Sequence, residues 1–161
     1  MIAYVVQITG GGGEGFVCPK CKSKQEAEKQ VSISHLPPVL CLHLKRFEHE
    51  AGNRGGGVSR KIDSHVRFSM KLDMSAFSTS AILHSRYGHR LRMPPVKKTS
   101  RPTYTLSSCI VHSGNFEGGH YITYAKHEKN WYRCDDAYVS YAQQAEVKRA
   151  NAYLLFYVVD S

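Results

Sequence analysis

Short runs of β-branched and aromatic residues, broken by turn-formers, dominate the chain. They are densest in its last third: YTLSSCIVHS, HYITYAK, NWYRCDD, AYVSY and AYLLFYVV all read as strands. Earlier strand candidates are residues 2–9, 31–36, 39–47 and 61–68. In residues 39–44, Leu40, Leu42 and Leu44 share one face while Val39, Cys41 and His43 take the other. Both faces begin apolar, which predicts a central strand buried on both sides. Helix-period segments are few and short: residues 23–30 and 143–150. Gly10–Gly15 and Gly52–Gly57 read as loops. Residues 84–103 contain no acid and are rich in Arg, Lys and Pro, which predicts a basic surface loop. The expected class is α+β with an antiparallel-rich sheet.

Composition narrows the setting. At 161 residues and 42% hydrophobic, the chain suits one domain or a large piece of one. No apolar run approaches the roughly 18 residues of a membrane span. Ile2–Ile8 lacks the basic flank and cleavage pattern of a signal peptide. Five cysteines, two of them a C-x-x-C pair, argue against a secreted disulfide framework and for a reducing compartment. A net charge of +9 favours acidic partners, unless the basic residues merely line solvated loops.

Three motifs carry chemistry. Gly10–Gly15 matches G-x-G-x-x-G, but Cys18-Pro19 follows where a helix should start, and no acid lies some 20 residues on, so a dinucleotide site is not expected. Cys18 and Cys21 can occupy one side of a tetrahedral Zn²⁺, yet a structural site needs four ligands and no second C-x-x-C is present. The third motif is Gly118-Gly119-His120-Tyr121, followed by Trp131 to Asp135-Asp136. A strand pair turning near residues 126–130 would bring the acid beside the imidazole. The histidine could then serve a thiol or hydroxyl nucleophile as base, with a buried acid taking its Nδ1 proton. The same residues, taken alone, also fit a structural histidine and a turn.

Together these segments are specific. HLKRF (43–47), KIDSHVRF (61–68), YTLSSCIVHSG (104–114), GGHYITYAK (118–126), WYRCDDAYVS (131–140) and YLLFYVV (153–159) resemble, in order, the C-terminal part of a ubiquitin-specific protease catalytic domain over residues 16–159. CLHLKRFEHE and LDMSAF are similar to the nuclear branch that works in the SAGA coactivator complex and removes ubiquitin from histones. The resemblance implies an incomplete papain-like cysteine-protease fold, with palm and part of the fingers in residues 16–161 and residues 1–15 unassigned. It implies that His120 is the general base, Asp135 the orienting acid and Asp136 an auxiliary acid. Gly118, Gly119 and Tyr121 would line the substrate channel, with Trp131 packed beneath the acid. Cys18 and Cys21 would be half of a four-cysteine zinc site, zinc being structural and catalysis needing no cofactor.

The Asn-x-Gly-x-Thr-Cys segment that carries the family's nucleophile is absent from this sequence, as is the first cysteine pair of the fingers. The expectation is therefore a deubiquitinase piece, inactive alone, that cleaves after the ubiquitin C-terminal glycine when joined to its nucleophile. The alternatives are a non-catalytic relative that holds ubiquitin or a complex partner, and a basic zinc-knuckle protein that binds nucleic acid. Expected partners are ubiquitin, ubiquitinated proteins including histones, and SAGA-like subunits, with no membrane and no direct nucleic-acid binding. The expected location is the nucleus, otherwise the cytoplasm. On an extended strand neighbouring acids face opposite ways, so one of Asp135 and Asp136 should dominate, and Asp135 is the choice.

Overall fold

A computed structural model describes residues 16–25, 32–50, 58–92, 102–115 and 117–160. Eleven strands are described: β1 (Phe16–Val17), β2 (Lys24–Gln25), β3 (Val39–His43), β4 (Phe47–Glu50), β5 (Val58–Lys61), β6 (Lys71–Asp73), β7 (Thr103–Gly114), β8 (Gly119–His127), β9 (Asn130–Asp135), β10 (Tyr138–Ala142) and β11 (Ala152–Val159). Two α-helices join them, α1 (Thr79–Leu91) and α2 (Gln144–Arg149). The main sheet is antiparallel with the order β10-β9-β8-β7-β11-β3. Strand β6 pairs with the first residues of β7, Thr103 to Thr105, on the edge that β8 takes from Ser108 onward. β1–β2 and β4–β5 are separate two-stranded ribbons.

The core forms where this sheet meets α2 and the segment around Met74. Leu40, Leu106, Cys109, Leu155, Tyr104, Tyr157, Trp131 and Val147 are buried there. Each large apolar side chain so removed from water contributes about 1.5–3 kcal/mol. The buried phenols find acceptors: Tyr104 donates to the Pro37 carbonyl at 2.5 Å and Tyr157 to the Ser69 carbonyl at 2.7 Å. Tyr124 donates to Glu146 at 2.8 Å and so ties α2 to β8.

Arg46 is buried between β3 and β4. Its Nε donates to the Ala152 carbonyl at 2.7 Å, and its Nη1 to the carbonyls of Ile62 and Ser64 at 2.7 and 2.8 Å. The Arg46 carbonyl in turn accepts from the Ile62 amide at 2.7 Å. One planar guanidinium thus joins the start of β11, the chain after β5 and its own turn.

Several expectations require correction. Residues 61–68 are not a strand: Lys61 ends β5, and Ile62–Ser69 run without regular structure. Arg46 takes carbonyls that a sheet partner would otherwise need. Strand β3 is an edge, not a centre. Among the described residues it pairs only with β11, and Val39 is 48% exposed. Residues 32–38 form no strand beyond an isolated bridge of Ile33 to Ser78, and the prolines at 37 and 38 lack the amides a ladder needs. The basic segment begins as helix: residues 84–91 belong to α1. Ser78 caps that helix by accepting from the Ala81 amide at 3.2 Å, and it ends at Arg92 in the left-handed conformation. Ser23 is a bend and residues 24–25 are strand rather than helix; residues 26–30 of the expected helix lie outside the described residues, as do the strand at 2–9 and the loops Gly10–Gly15 and Gly52–Gly57. Helix α2 stands at 144–149, within the expected 143–150. Among the described residues no helix is long and apolar enough to cross a membrane.

Removing the Arg46 clamp should be costly. Arg46→Ala leaves three carbonyls without their charged donor and is expected to lower unfolding stability by about 3 kcal/mol or more in denaturant titration. Arg46→Lys should recover only part, because one ammonium lacks the fork that reaches both sides.

Candidate active site

Two hairpins build the site. Strand β7 pairs with β8 so that Ser113 faces His120, and β8 pairs with β9 so that Tyr124 faces Arg133 and Thr123 faces Cys134. Paired residues share a sheet face and alternate along each strand. His120, Ile122 and Tyr124 therefore lie on the face that carries Trp131, Arg133 and Asp135. The two-residue connection at Glu128–Lys129, with Glu128 at φ 52°, sets this register. A shift of one residue would put His120 and Asp135 on opposite faces.

His120 Nε2 is hydrogen-bonded to Asp135 Oδ1. An ionised carboxylate can only accept, so Nε2 carries the proton and Nδ1 keeps the lone pair in the neutral ring. The sequence leads one to expect the acid at Nδ1; the structure puts it at Nε2. The second carboxylate oxygen accepts from Arg133 Nη2 at 2.7 Å. Sequence reasoning does not single out Arg133, although its position two residues before the acid on a strand places it on the same face. Trp131 lies on the same face, four residues before the acid. The indole is buried in the core, and Arg133 is what touches the acid.

The side chains of His120 and Asp135 are 47% and 25% exposed. The bond to Asp135 raises the imidazole pKa above its usual 6.5, the nearby Asp136 charge adding to this. The bond to His120 lowers the Asp135 carboxyl below the usual carboxylate range, with Arg133 acting the same way.

Asp136 does not continue the strand. It has φ 50° and opens the turn between β9 and β10, and ligand atoms of His120, Asp135 and Asp136 all lie within 4.8 Å of one another. The alternation expected to separate the two acids fails here because the chain leaves the extended region at Asp136. Asp136 is thus part of the same cluster.

The glycines differ in what demands them. A Cβ on Gly119 would lie 2.2 Å from His112 Nε2 and 2.2 Å from the Ser113 carbonyl, whereas one on Gly118 would meet nothing within 4 Å. Packing within the chain accounts for Gly119; no described neighbour accounts for Gly118. Tyr121 stands on the opposite face from His120, 54% exposed, its ring 4.7 Å from that of His112.

The described cysteines show no nucleophile for this pair. Cys109 is in the core, where burial pushes its thiol up to about 12, and burial also raises Cys41. Cys134 pairs with Thr123, on the face away from Asp135. Cys18 and Cys21 lie on the turn of the β1–β2 ribbon. There a knuckle closes through the Lys22 amide on the Cys18 carbonyl at 2.8 Å, and Ser23 lowers the Cys21 thiol to about 7. The C-x-x-C pair fits a metal, but among the described residues no third His, Cys, Asp or Glu joins it.

The sequence profile described as ubiquitin carboxyl-terminal hydrolase matches residues 10–157. The chain belongs to the ubiquitin carboxyl-terminal hydrolase family. It is 36% identical over 159 residues to ubiquitin C-terminal hydrolase 22 of Arabidopsis thaliana, covering 94% of this chain and 28% of that protein. It is 37% identical to human ubiquitin carboxyl-terminal hydrolase 27, covering 91% of this chain and 32% of that one. The chain thus spans about a third of the length of these hydrolases. Among solved structures it is similar to the SAGA Ubp8/Sgf11/Sus1/Sgf73 DUB module bound to ubiquitin aldehyde. The TM-score is 0.68 and the identity 31%, over 98% of this chain and 31% of the matched one. The yeast SAGA DUB module carrying a point mutant of Sgf73 gives a TM-score of 0.69 at 32% identity, covering 91% and 29%. The antiparallel-rich sheet is therefore that of the papain-like hydrolase family.

The pair should titrate as a unit. His120, raised in the folded state, stabilises the fold fully below its ordinary pKa of about 6.5, and the contribution fades as pH rises through the folded value. Asp135, lowered, contributes above about pH 4 and loses it as pH falls through its folded value. Both contributions are present from about pH 4 to 6.5. A proton NMR titration of the His120 ring is expected to give a midpoint above 6.5, and Asp135→Asn should bring it down. An unchanged midpoint in that variant would contradict the geometry.

Proposed function

We propose that this chain supplies the general base and the orienting acid of a cysteine-type deubiquitinase. The nucleophile comes from a segment outside these 161 residues. The observation that carries this is the His120 Nε2 bond to Asp135, itself braced by Arg133, at the exposed end of its sheet face. That arrangement presents a lone pair to a thiol and keeps the ring in one tautomer.

In the reaction, Nδ1 of His120 takes the proton from the incoming thiol. The thiolate adds to the carbonyl of the isopeptide bond after the C-terminal glycine of ubiquitin. His120 then returns the proton to the departing lysine amine, leaving a thioester on the enzyme. Water, deprotonated by the same imidazole, hydrolyses that thioester and restores the thiol. Asp135 stabilises the imidazolium formed in both halves. Asp136, within the same cluster, adds negative potential, and its carboxylate can order the water. Gly118, whose missing side chain no internal packing requires, leaves room for an extended substrate backbone, with Gly119 next to it.

Cys18 and Cys21 would contribute two of the four thiolates of a structural zinc site. The similarity to Ubp8 structures supports SAGA-like subunits as partners and the nucleus as the location, and the charge of +9 suits a chromatin substrate such as ubiquitinated histone. A purely ubiquitin-holding role has less support, since holding ubiquitin needs no aligned Arg133, Asp135 and His120.

Expressed alone, the chain should release no fluorophore from a ubiquitin amide, and turnover that His120→Ala abolishes would refute the external nucleophile. In a chimera carrying a related hydrolase's nucleophile segment, His120→Ala is expected to abolish turnover. Asp135→Ala should cost a large factor, up to about 10⁴, with ubiquitin affinity retained in both. Harmless Asp135→Ala alongside crippling Asp136→Ala would reassign the orienting acid.

Zinc should bind the isolated chain only weakly, because two ligands hold it without a closed tetrahedron. Competition against a chelating dye measures this, and tight one-to-one binding would overturn the half-site reading.

A further inference from the structure

Strand β7 has a partner problem at its C-terminal end. Strand β11 covers one of its edges only as far as the pair Ala152–Val111, while β8 continues along the other edge to the pair Gly114–Gly119. Beyond Val111, alternate carbonyls of β7 therefore point to an edge with no described strand. Lys61, the last residue of β5, fills that place. Its Nζ donates to the His112 carbonyl at 2.9 Å and to the Gly114 carbonyl at 3.1 Å, and lies 3.3 Å from Asp63 Oδ1. An ammonium has three donors, and these are three acceptors. The side chain is only 14% exposed, so most of it is withdrawn from water.

The two carbonyls bracket Ser113, which is the cross-strand partner of His120. Gly114, at φ 119°, then starts the turn, where the Asn115 side chain accepts from the amides of Glu117 and Gly118 at 3.0 and 3.1 Å. At a strand end, the terminal pairs fray unless something outside the hairpin holds them. Ring contacts also reach this end, His112 meeting Phe47 at 5.7 Å, but they hold a side chain and not the backbone carbonyls.

We propose that Lys61 is a positioning residue: it substitutes for the missing strand at the end of β7 and so fixes where β8 presents His120. The proposal rests on reading His120 as the proton-transfer group, but its test does not use turnover. Lys61 touches neither substrate nor reacting atoms; it acts through the hairpin.

The test is made on the full chain labelled with nitrogen-15, His120 being assigned with a His120→Gln variant. In the parent, His120 should show the signature of one tautomer, protonated at Nε2. In Lys61→Met, His120 is expected to show averaged tautomers, and amides of residues 112–120 should exchange with solvent about tenfold faster or more. Amides of α2 and β11 should stay within about twofold of the parent, since the opening is local. Lys61→Arg, whose guanidinium can span both carbonyls, should restore both signatures. If Lys61→Met keeps the single tautomer and the parent exchange rates, the proposal is wrong. Should Lys61→Met fail to fold, Lys61→Gln, an uncharged and shorter side chain that cannot supply the ammonium's three hydrogen bonds, is read the same way. Parent-like exchange in Lys61→Gln overturns the proposal, and faster exchange confined to 112–120 supports it. A null result at Lys61 leaves the His120 reading intact, and loss of the chimera's dependence on His120 would leave the clamp intact.

Discussion

The placement of the site depends on a buried guanidinium far from it in sequence. Arg46 gathers three carbonyls, from Ala152, Ile62 and Ser64. Each is an acceptor whose loss of a partner would cost on the order of 1–3 kcal/mol. In satisfying them, Arg46 locks the chain after β5 against the start of β11. That segment follows directly on Lys61, and Lys61 holds the outer edge of β7. One path from the KRF motif to the hairpin of His120 thus runs through backbone carbonyls, and another through the rings of Phe47 and His112.

The chemistry itself needs only local order. Two antiparallel pairs with a two-residue turn place an imidazole and a carboxylate on one face, and Arg133 occupies the remaining carboxylate oxygen. An acid held from both sides has little freedom to rotate, so its direction toward the ring is set before any substrate arrives. The low exposure of Asp135 relative to His120 has the same sense: the carboxylate is shielded by its partners and the imidazole is the more exposed of the two.

What is legible in the sequence follows the range of the forces involved. Strands β7 to β11 can be read because their apolar alternation and turn residues are local signals, and the hairpin turn at 128–129 can be placed from them. The His120–Asp135 pairing follows from that register. Strand β3 misleads because an apolar alternation does not reveal whether a strand ends up at an edge, which is decided by the order of strands distant in sequence. Residues 62–68 look like a strand until Arg46, 16 residues before Ile62, claims the Ile62 carbonyl. Helix α1 is hidden by basic, polar composition, although Ser78 at its cap is a readable signal. Asp136 is misplaced when strand period is applied across a residue that turns.

Gly119 and Gly88 show how differently two glycines can be bound to their positions. A side chain at Gly88 would press only on the ring of His84, at 3.3 Å, and that neighbour can move or be replaced. At Gly119 half the obstruction is the backbone carbonyl of Ser113. No second substitution at position 112 can make room, because trimming the imidazole leaves the carbonyl where it is. Position 88 can therefore take a side chain through a paired change at position 84. Position 119 has no such neighbouring route: the geometry of its own hairpin excludes a side chain from the residue before the histidine.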